Sequence, residues 1–128
     1  MTLYINTTEN NLIEIGLKNK NKPVAVKRIK SYRTQAEKLL PAIDKLLKNS
    51  KLKPNDLKSV EIENRGGSFT SLRIGVVTAN ALAYALGIAV AGNGGINKIV
   101  RSGQRSFKVA EPIYDREPEI TAKKARNQ

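Results

Sequence analysis

Asn64-Arg65-Gly66-Gly67-Ser68-Phe69-Thr70-Ser71 stands between a β-branched run and a long apolar run. Two glycines followed by hydroxyl side chains at a helix entrance make a candidate anion-binding turn. There, backbone N–H groups and the positive end of the helix dipole face the ligand. Gly66, Gly67, Ser68 and Thr70 would form it, with Ser71 a further hydroxyl donor. The plainer reading, and the one the residues alone favour, is structural. The glycines permit a turn, a hydroxyl caps the helix, and Phe69 pins it to the core. Neither the Gly-Lys-Ser/Thr end of a P-loop nor Gly-x-Gly-x-x-Gly is present.

Other chemistries are excluded by residue type. The 128 residues include no Cys and no His, which removes thiolate nucleophiles, imidazole bases and the usual soft metal ligands. A catalytic carboxylate pair is not supported, because Asp44, Asp56, Glu61 and Glu63 fall on a helix face, a connector and a strand. The first turn carries Asn6, Thr7 and Thr8 where many nucleotide-binding folds place a metal-holding carboxylate. A neutral amide holds magnesium poorly, and Glu9 nearby is a single solvated acid. No catalytic residue, metal site or cofactor is expected.

The net charge of +12 is lopsided. Between Lys18 and Lys58 there are 13 Lys/Arg and three acids, leaving +10 in about a third of the chain. Lys27, Arg28 and Lys30 lie in its densest part and are candidate contacts to an RNA phosphate backbone. Only Tyr32 is at hand as a stacking platform, so base readout is not indicated. Lysines also protect edge strands from pairing.

The elements that must position these residues follow from periodicity. Residues 2–7, 12–17 and 24–29 read as three strands joined by short turns, an antiparallel meander in which Val24, Val26 and Ile29 alternate with outward-facing bases. Ala36, Leu39, Leu40, Ile43, Leu46 and Leu47 then recur on one face of a helix over 34–48, with Pro41 inside it. Ser59 to Glu63 is a fourth strand, 72–86 a second helix and 88–91 a fifth strand. The order βββαβαβ implies a mixed sheet with crossover helices. The second helix is apolar nearly all round, so it should be covered on more than one side. Its Gly75, Ala79 and Ala83 make a small-residue stripe where another backbone can come close. Beyond Gly92 regularity fades to scattered apolar anchors, and Glu111 to Gln128 reads as an extended tail.

Length and composition fit this plan. One domain suits 128 residues, and 40% hydrophobic content builds one core. Ile74 to Gly92 is 19 residues without a charge, long enough to nominate a membrane span. Its glycines, Thr78 and Asn80 favour a buried helix followed by a strand. No secretory signal is visible, and a cytoplasmic location is expected.

These residues also carry a resemblance. Arg65-Gly66-Gly67-Ser68-Phe69-Thr70-Ser71-Leu72-Arg73-Ile74-Gly75 resembles the Gly-Pro-Gly-Ser-Phe-Thr-Gly-Leu-Arg-Ile-Gly motif of the TsaB (YeaZ) family. Leu3-Tyr4-Ile5-Asn6-Thr7-Thr8 is similar to its Ile-Leu-x-Ile-Asp-Thr-Ser strand, Leu39-Leu40-Pro41-Ala42-Ile43 to its Leu-Leu-Pro-x-Ile segment, and Pro112-Ile113-Tyr114 to its Pro-x-Tyr. The resemblance implies a single α/β lobe of the actin-like ATPase (ASKHA, ribonuclease H-like) fold over 1–92. Residues 93–128 would then be a reduced remnant of the second lobe and a short irregular tail. It further implies a non-catalytic partner of the enzyme TsaD in making threonylcarbamoyladenosine in tRNA, with a TsaE-like ATPase in the complex. A homodimer is expected when the chain is alone. Two helices would meet the partner, through Leu40, Leu47, Gly75, Val76, Ala79, Asn80 and Tyr84, although the residues do not separate partner face from sheet face. tRNA would be met indirectly or through the basic face. Asn6 stands where the family has aspartate, and Arg65-Gly66 where it has Gly-Pro. About 17 residues separate Gly92 from the resumed similarity. An ATP cleft needs two lobes, so nucleotide chemistry by this lobe alone is not expected.

Overall fold

A computed structural model describes residues 1–113 apart from 10, 33, 95–96 and 103–104. The expected tail beyond Ile113, including Tyr114, lies outside the described residues.

Three strands open the chain: β1 (Thr2–Asn6), β2 (Leu12–Asn19) and β3 (Lys22–Lys30). After them come α1 (Gln35–Asn49), β4 (Ser59–Ile62), α2 (Phe69–Leu86) and β5 (Ala89–Gly92). The five strands form one sheet in the order β3-β2-β1-β4-β5. Pairing is antiparallel between β1, β2 and β3 and parallel from β1 to β4 and β4 to β5. Each helix therefore crosses over between strands of one sheet. By length and composition α2 is apolar enough to cross a membrane, yet it joins β4 to β5, whose Val60 and Val90 are paired.

Alternation along the strands builds the core. Leu3 pairs with Leu17 and Val60, and Ile5 with Ile15 and Ile62, so one sheet face is a continuous aliphatic layer, fully buried. Leu39, Ile43, Leu46 and Leu47 of α1 and Leu72, Val76, Ala79 and Ala83 of α2 cover that face. Each fully buried Leu or Ile contributes roughly 1.5–3 kcal/mol. Pro41 sits exposed within α1 without ending it.

Two features differ from the sequence reading. Val24 and Val26 are 54% and 59% exposed; a β-bulge between Leu17 and Lys18 shifts the register, and Val26 lies opposite Gly16 on the uncovered face. Val26 and Ile29 differ in parity, so a regular strand cannot turn both inward. After Gly92 the structure adds a hairpin, β6 (Asn97–Ser102) and β7 (Arg105–Ala110), in antiparallel register. Its last residue, Ala110, is buried in the main core.

Candidate functional site

The Gly-Ser turn is built against the first turn of the chain. Ser68 is the N-cap of α2, its hydroxyl accepting from the Ser71 N–H at 3.0 Å. Gly66 and Gly67 have φ of +94° and +76°, and a Cβ on Gly67 would run into the Thr8 backbone. Glycine is thus required there both for conformation and for space. Thr7, fully buried, donates its hydroxyl to the Ser71 carbonyl at 2.6 Å. Asn6 Oδ1 accepts from both the Thr8 N–H and the Thr8 hydroxyl, at 2.8 and 2.6 Å. The Asn6 amide thus holds its own turn. Phe69 lies outside the core cluster, with the Arg73 guanidinium 5.5 Å over its ring.

Each carboxylate considered for catalysis has a structural partner. Asp44 pairs with Lys48 at 2.9 Å, and Asp56 accepts from the Lys53 N–H at 2.8 Å in a single 3-10 turn, Pro54–Asp56. Glu61 pairs with Lys18 at 2.9 Å. Glu63 receives the Tyr4 hydroxyl in a long contact of 3.5 Å. Burial, with Glu63 and Glu14 adding repulsion, pushes the Tyr4 phenol up to about 12.

The seven residues expected at a partner surface divide between two sides of the helices. Leu47, Gly75, Val76 and Ala79 face the sheet and are enclosed by the chain's own core. A Cβ on Gly75 would strike the Thr7 side chain and crowd Ile62. The small-residue stripe therefore lets α2 sit close on its own sheet and is not open to another chain. Asn80 is half-buried and donates to and accepts from the Ala110 backbone, both at 2.8 Å. Leu40 and Tyr84 are exposed, at 56% and 38%. Val77, which the sequence did not single out, is 59% exposed. With Thr70, Arg73, Ala81 and Tyr84 it forms the outer stripe of α2. Beside that stripe is a groove of about 410 Å³ walled by Ala36, Phe69, Ile74 and Val77. In a helix apolar all round, only the packed sheet distinguishes inner from outer residues.

The three basic candidates do not share a face. Arg28 lies opposite Glu14 and pairs with it at 2.9 Å, whereas Lys27 lies opposite Ile15 on the other side of the strand. Lys30 is exposed on the Arg28 side, and its carbonyl accepts from Lys38 Nζ at 3.3 Å.

Sequence reasoning missed Asn64. It is fully buried; its Nδ2 donates to the Glu111 carbonyl at 2.7 Å and its Oδ1 accepts from the Gly94 N–H at 2.6 Å. Its own carbonyl accepts from the Ile113 N–H at 2.6 Å. Asn64 and Asn80 thus fasten residues 110–113 to the lobe. The available signal was an Asn at the end of an apolar strand and another inside an apolar helix.

Comparison with known proteins follows from this geometry. A family model described as TsaD: tRNA N6-adenosine threonylcarbamoyltransferase matches residues 29–105. The tRNA threonylcarbamoyladenosine biosynthesis protein TsaB of Bacillus subtilis (strain 168) is 26% identical over 115 residues, covering 90% of this chain and 50% of that protein. The TsaB of Buchnera aphidicola subsp. Schizaphis graminum (strain Sg) is 32% identical over 71 residues, covering 56% of this chain and 34% of that protein. The solved structure of YeaZ from Pseudomonas aeruginosa superposes with a TM-score of 0.63 at 22% identity, covering 70% of this chain and 42% of that one. The chain thus spans half or less of the length of these relatives. The fold is that of a single actin-like ATPase lobe.

Proposed function

The chain belongs to the TsaB (YeaZ) family, and from that premise we propose that it is a non-catalytic subunit of the machinery that makes threonylcarbamoyladenosine in tRNA. Its part is to dock a TsaD-like enzyme. A TsaE-like ATPase joins the same assembly, tRNA is met through the complex, and the docking face closes a homodimer when the chain is alone.

The observation that carries the reading is the outer stripe of α2 with the groove beside it, together with the exposed Leu40 of α1. Leu40 and Val77 are more than half exposed, and the groove between the helices is lined mainly by carbon. Exposed large apolar side chains beside an apolar groove support association. Asp44, Asp56, Glu61 and Glu63 each have a partner within the chain, which supports a role without carboxylate chemistry at those four residues. The basic strand supports a direct RNA role less well, because Arg28 is neutralised by Glu14.

The test is co-purification with the TsaD-like protein of the same cell. Leu40→Asp with Val77→Asp should abolish co-elution and reduce the free chain to a monomer in light scattering, while the thermal midpoint stays near wild type. Co-elution of the folded double variant at wild-type yield would remove this face from consideration. Substitutions at Gly75 or Ala79 are unsuitable, because those positions are enclosed by the chain itself.

A further inference from the structure

The topology gathers lysines that are distant in sequence at one end of the sheet. Thr2 pairs with Lys18 on one side and with Ser59 on the other, so the β2–β3 turn and the entry to β4 lie at the same end. α1 starts after the far end of β3 and returns through residues 50–58 to that entry. Lys20, Lys22, Lys51, Lys53 and Lys58 stand there, all exposed, and none forms an ion pair among the described residues. Neighbouring strands lie about 4.8 Å apart, so β3 and β4, three places apart in the sheet, spread these lysines over roughly 15 Å. Lys18 and Lys48 of the same end are paired with Glu61 and Asp44. The Asp56 carboxylate accepts from the Lys53 N–H. At the opposite end, among the described residues, Glu9, Glu37, Glu63 and Glu111 offset Lys30, Lys38, Arg65 and Arg73. Much of the positive excess of the lobe is therefore concentrated at one pole.

Two of these lysines occupy backbone positions that suit other residues better. Lys20 and Lys51 have φ of +52° and +59°, the left-handed region that favours glycine or asparagine. Lys51 follows the cap of α1. Its N–H donates to the Lys48 carbonyl at 3.0 Å and the Leu52 N–H to the Leu47 carbonyl at 2.8 Å, the helix ending that glycine most often completes. Lys20 and Asn21 link the paired residues Asn19 and Lys22, where Asn-Gly is preferred. Conformation disfavours lysine at both places, so what it contributes there is charge. The connector that carries the other lysines is fixed, with Leu57 buried and the Lys58 N–H donating to the Met1 carbonyl at 2.8 Å.

We propose that this pole binds the phosphate backbone of RNA, its five lysines acting as point charges against neighbouring phosphates. Asn19, Asn21, Asn49 and Asn55 are exposed between them, and amides donate to phosphate oxygens and ribose hydroxyls. A lipid surface is a poorer fit, because the residues interleaved with the lysines are chiefly amides rather than the large apolar side chains that insertion requires. That the ligand is a polyanion rests on the charges alone; that it is RNA rests on the tRNA-modifying assembly proposed above. The docking groove lies beside the first turns of the helices, at Ala36, Phe69 and Arg73, away from the pole, so RNA and a docked enzyme are held at once.

The full chain is titrated into a fluorescently labelled, unmodified tRNA transcript at salt concentrations from about 50 to 200 mM. The logarithm of the binding constant should fall linearly with that of salt, with a slope of magnitude about 3 to 5. Lys20→Gly with Lys51→Gly should make the slope shallower by about 1.5 and weaken binding about tenfold. This variant should melt no lower than wild type, since it relieves two left-handed positions. Lys27→Gln with Lys30→Gln, which removes the same charge from β3, should leave the slope unchanged. The proposal is overturned if the pole variant binds tRNA as wild type does, or if the two double variants lose affinity alike. It is also overturned if wild type pellets with phosphatidylserine vesicles yet shows no salt-sensitive binding to tRNA. The pole variant should still co-elute with the TsaD-like protein, so failure of docking and failure of RNA binding are separate results.

Discussion

Buried polar side chains carry much of the specificity of this lobe. Thr7 ties the first turn to the start of α2, and Asn64 and Asn80 tie residues 110–113 to the sheet and helix. Tyr4 gives a measurable consequence on the uncovered sheet face, where the Lys18 ammonium lies 5.0 Å from its ring centre. Its phenol is raised from 10.0 to about 12, chiefly by burial and then by Glu63 and Glu14. Below pH 10 the folded and unfolded chains both keep the proton. Between about 10 and 12 only the unfolded chain loses it, so stability falls across that window. Tyr4→Phe should remove this part of the alkaline decline. Denaturation midpoints of wild type and variant should therefore converge or cross as pH rises from 10 to 12, and equal slopes would contradict the assignment. Little of this was legible in the sequence. The shift of a Tyr on a strand is unreadable until its neighbours across the sheet are known, and the neighbours here come from β2 and from the residue just after β4.

Among the elements, α2 is the most informative. Its outer and inner faces are both apolar, and the inner one is small because the helix rests directly on β1 and β4. Ala79 is fully buried, so Ala79→Leu should destabilise the fold by about 1–3 kcal/mol through overpacking, read as a lower urea midpoint. An unchanged midpoint would mean that α2 does not sit where it is described. The helical spacing of α1 identified most of its buried face, because the opposite face is largely charged; Leu39, Ile43, Leu46 and Leu47 are buried, whereas Ala36 and Leu40, expected on the same face, are exposed. The same logic had nothing to grip in α2, whose one charge is Arg73. The third strand failed for another reason. Its bulge against Leu17 and Lys18 displaces Val24 and leaves no dependable mark in alternating sequence, whereas the opposite parity of Val26 and Ile29 was readable and was overlooked.

For the molecule as a whole, charge and chain continuity decide the behaviour. Among 23 Lys and Arg, three form the ion pairs found among the described residues, and an excess of +12 repels itself. Raising salt from about 10 to 150 mM shortens the Debye length from roughly 30 to 8 Å. The thermal midpoint should rise with it, and a fall would show that ion pairs outweigh the repulsion. The expected boundary at residue 92 does not coincide with the end of the core. Ala110 is buried in it, and the side-chain amides of two residues of the lobe are satisfied by 94 and 110–111.

The sequence by itself determined the βββαβαβ order, a hydroxyl cap on the second helix and the absence of imidazole and thiol side chains. These depend on residue type and on periodicities of two and 3.6, which are local. It also carried the family likeness, since a run such as Ser-Phe-Thr-x-Leu-Arg-Ile-Gly is read directly. Only the tertiary structure decided which side of α2 is exposed, that Arg28 pairs with Glu14, and that residues beyond 92 return to the core. Each of those depends on atoms distant in sequence brought within a few ångströms, and no local pattern encodes such a meeting.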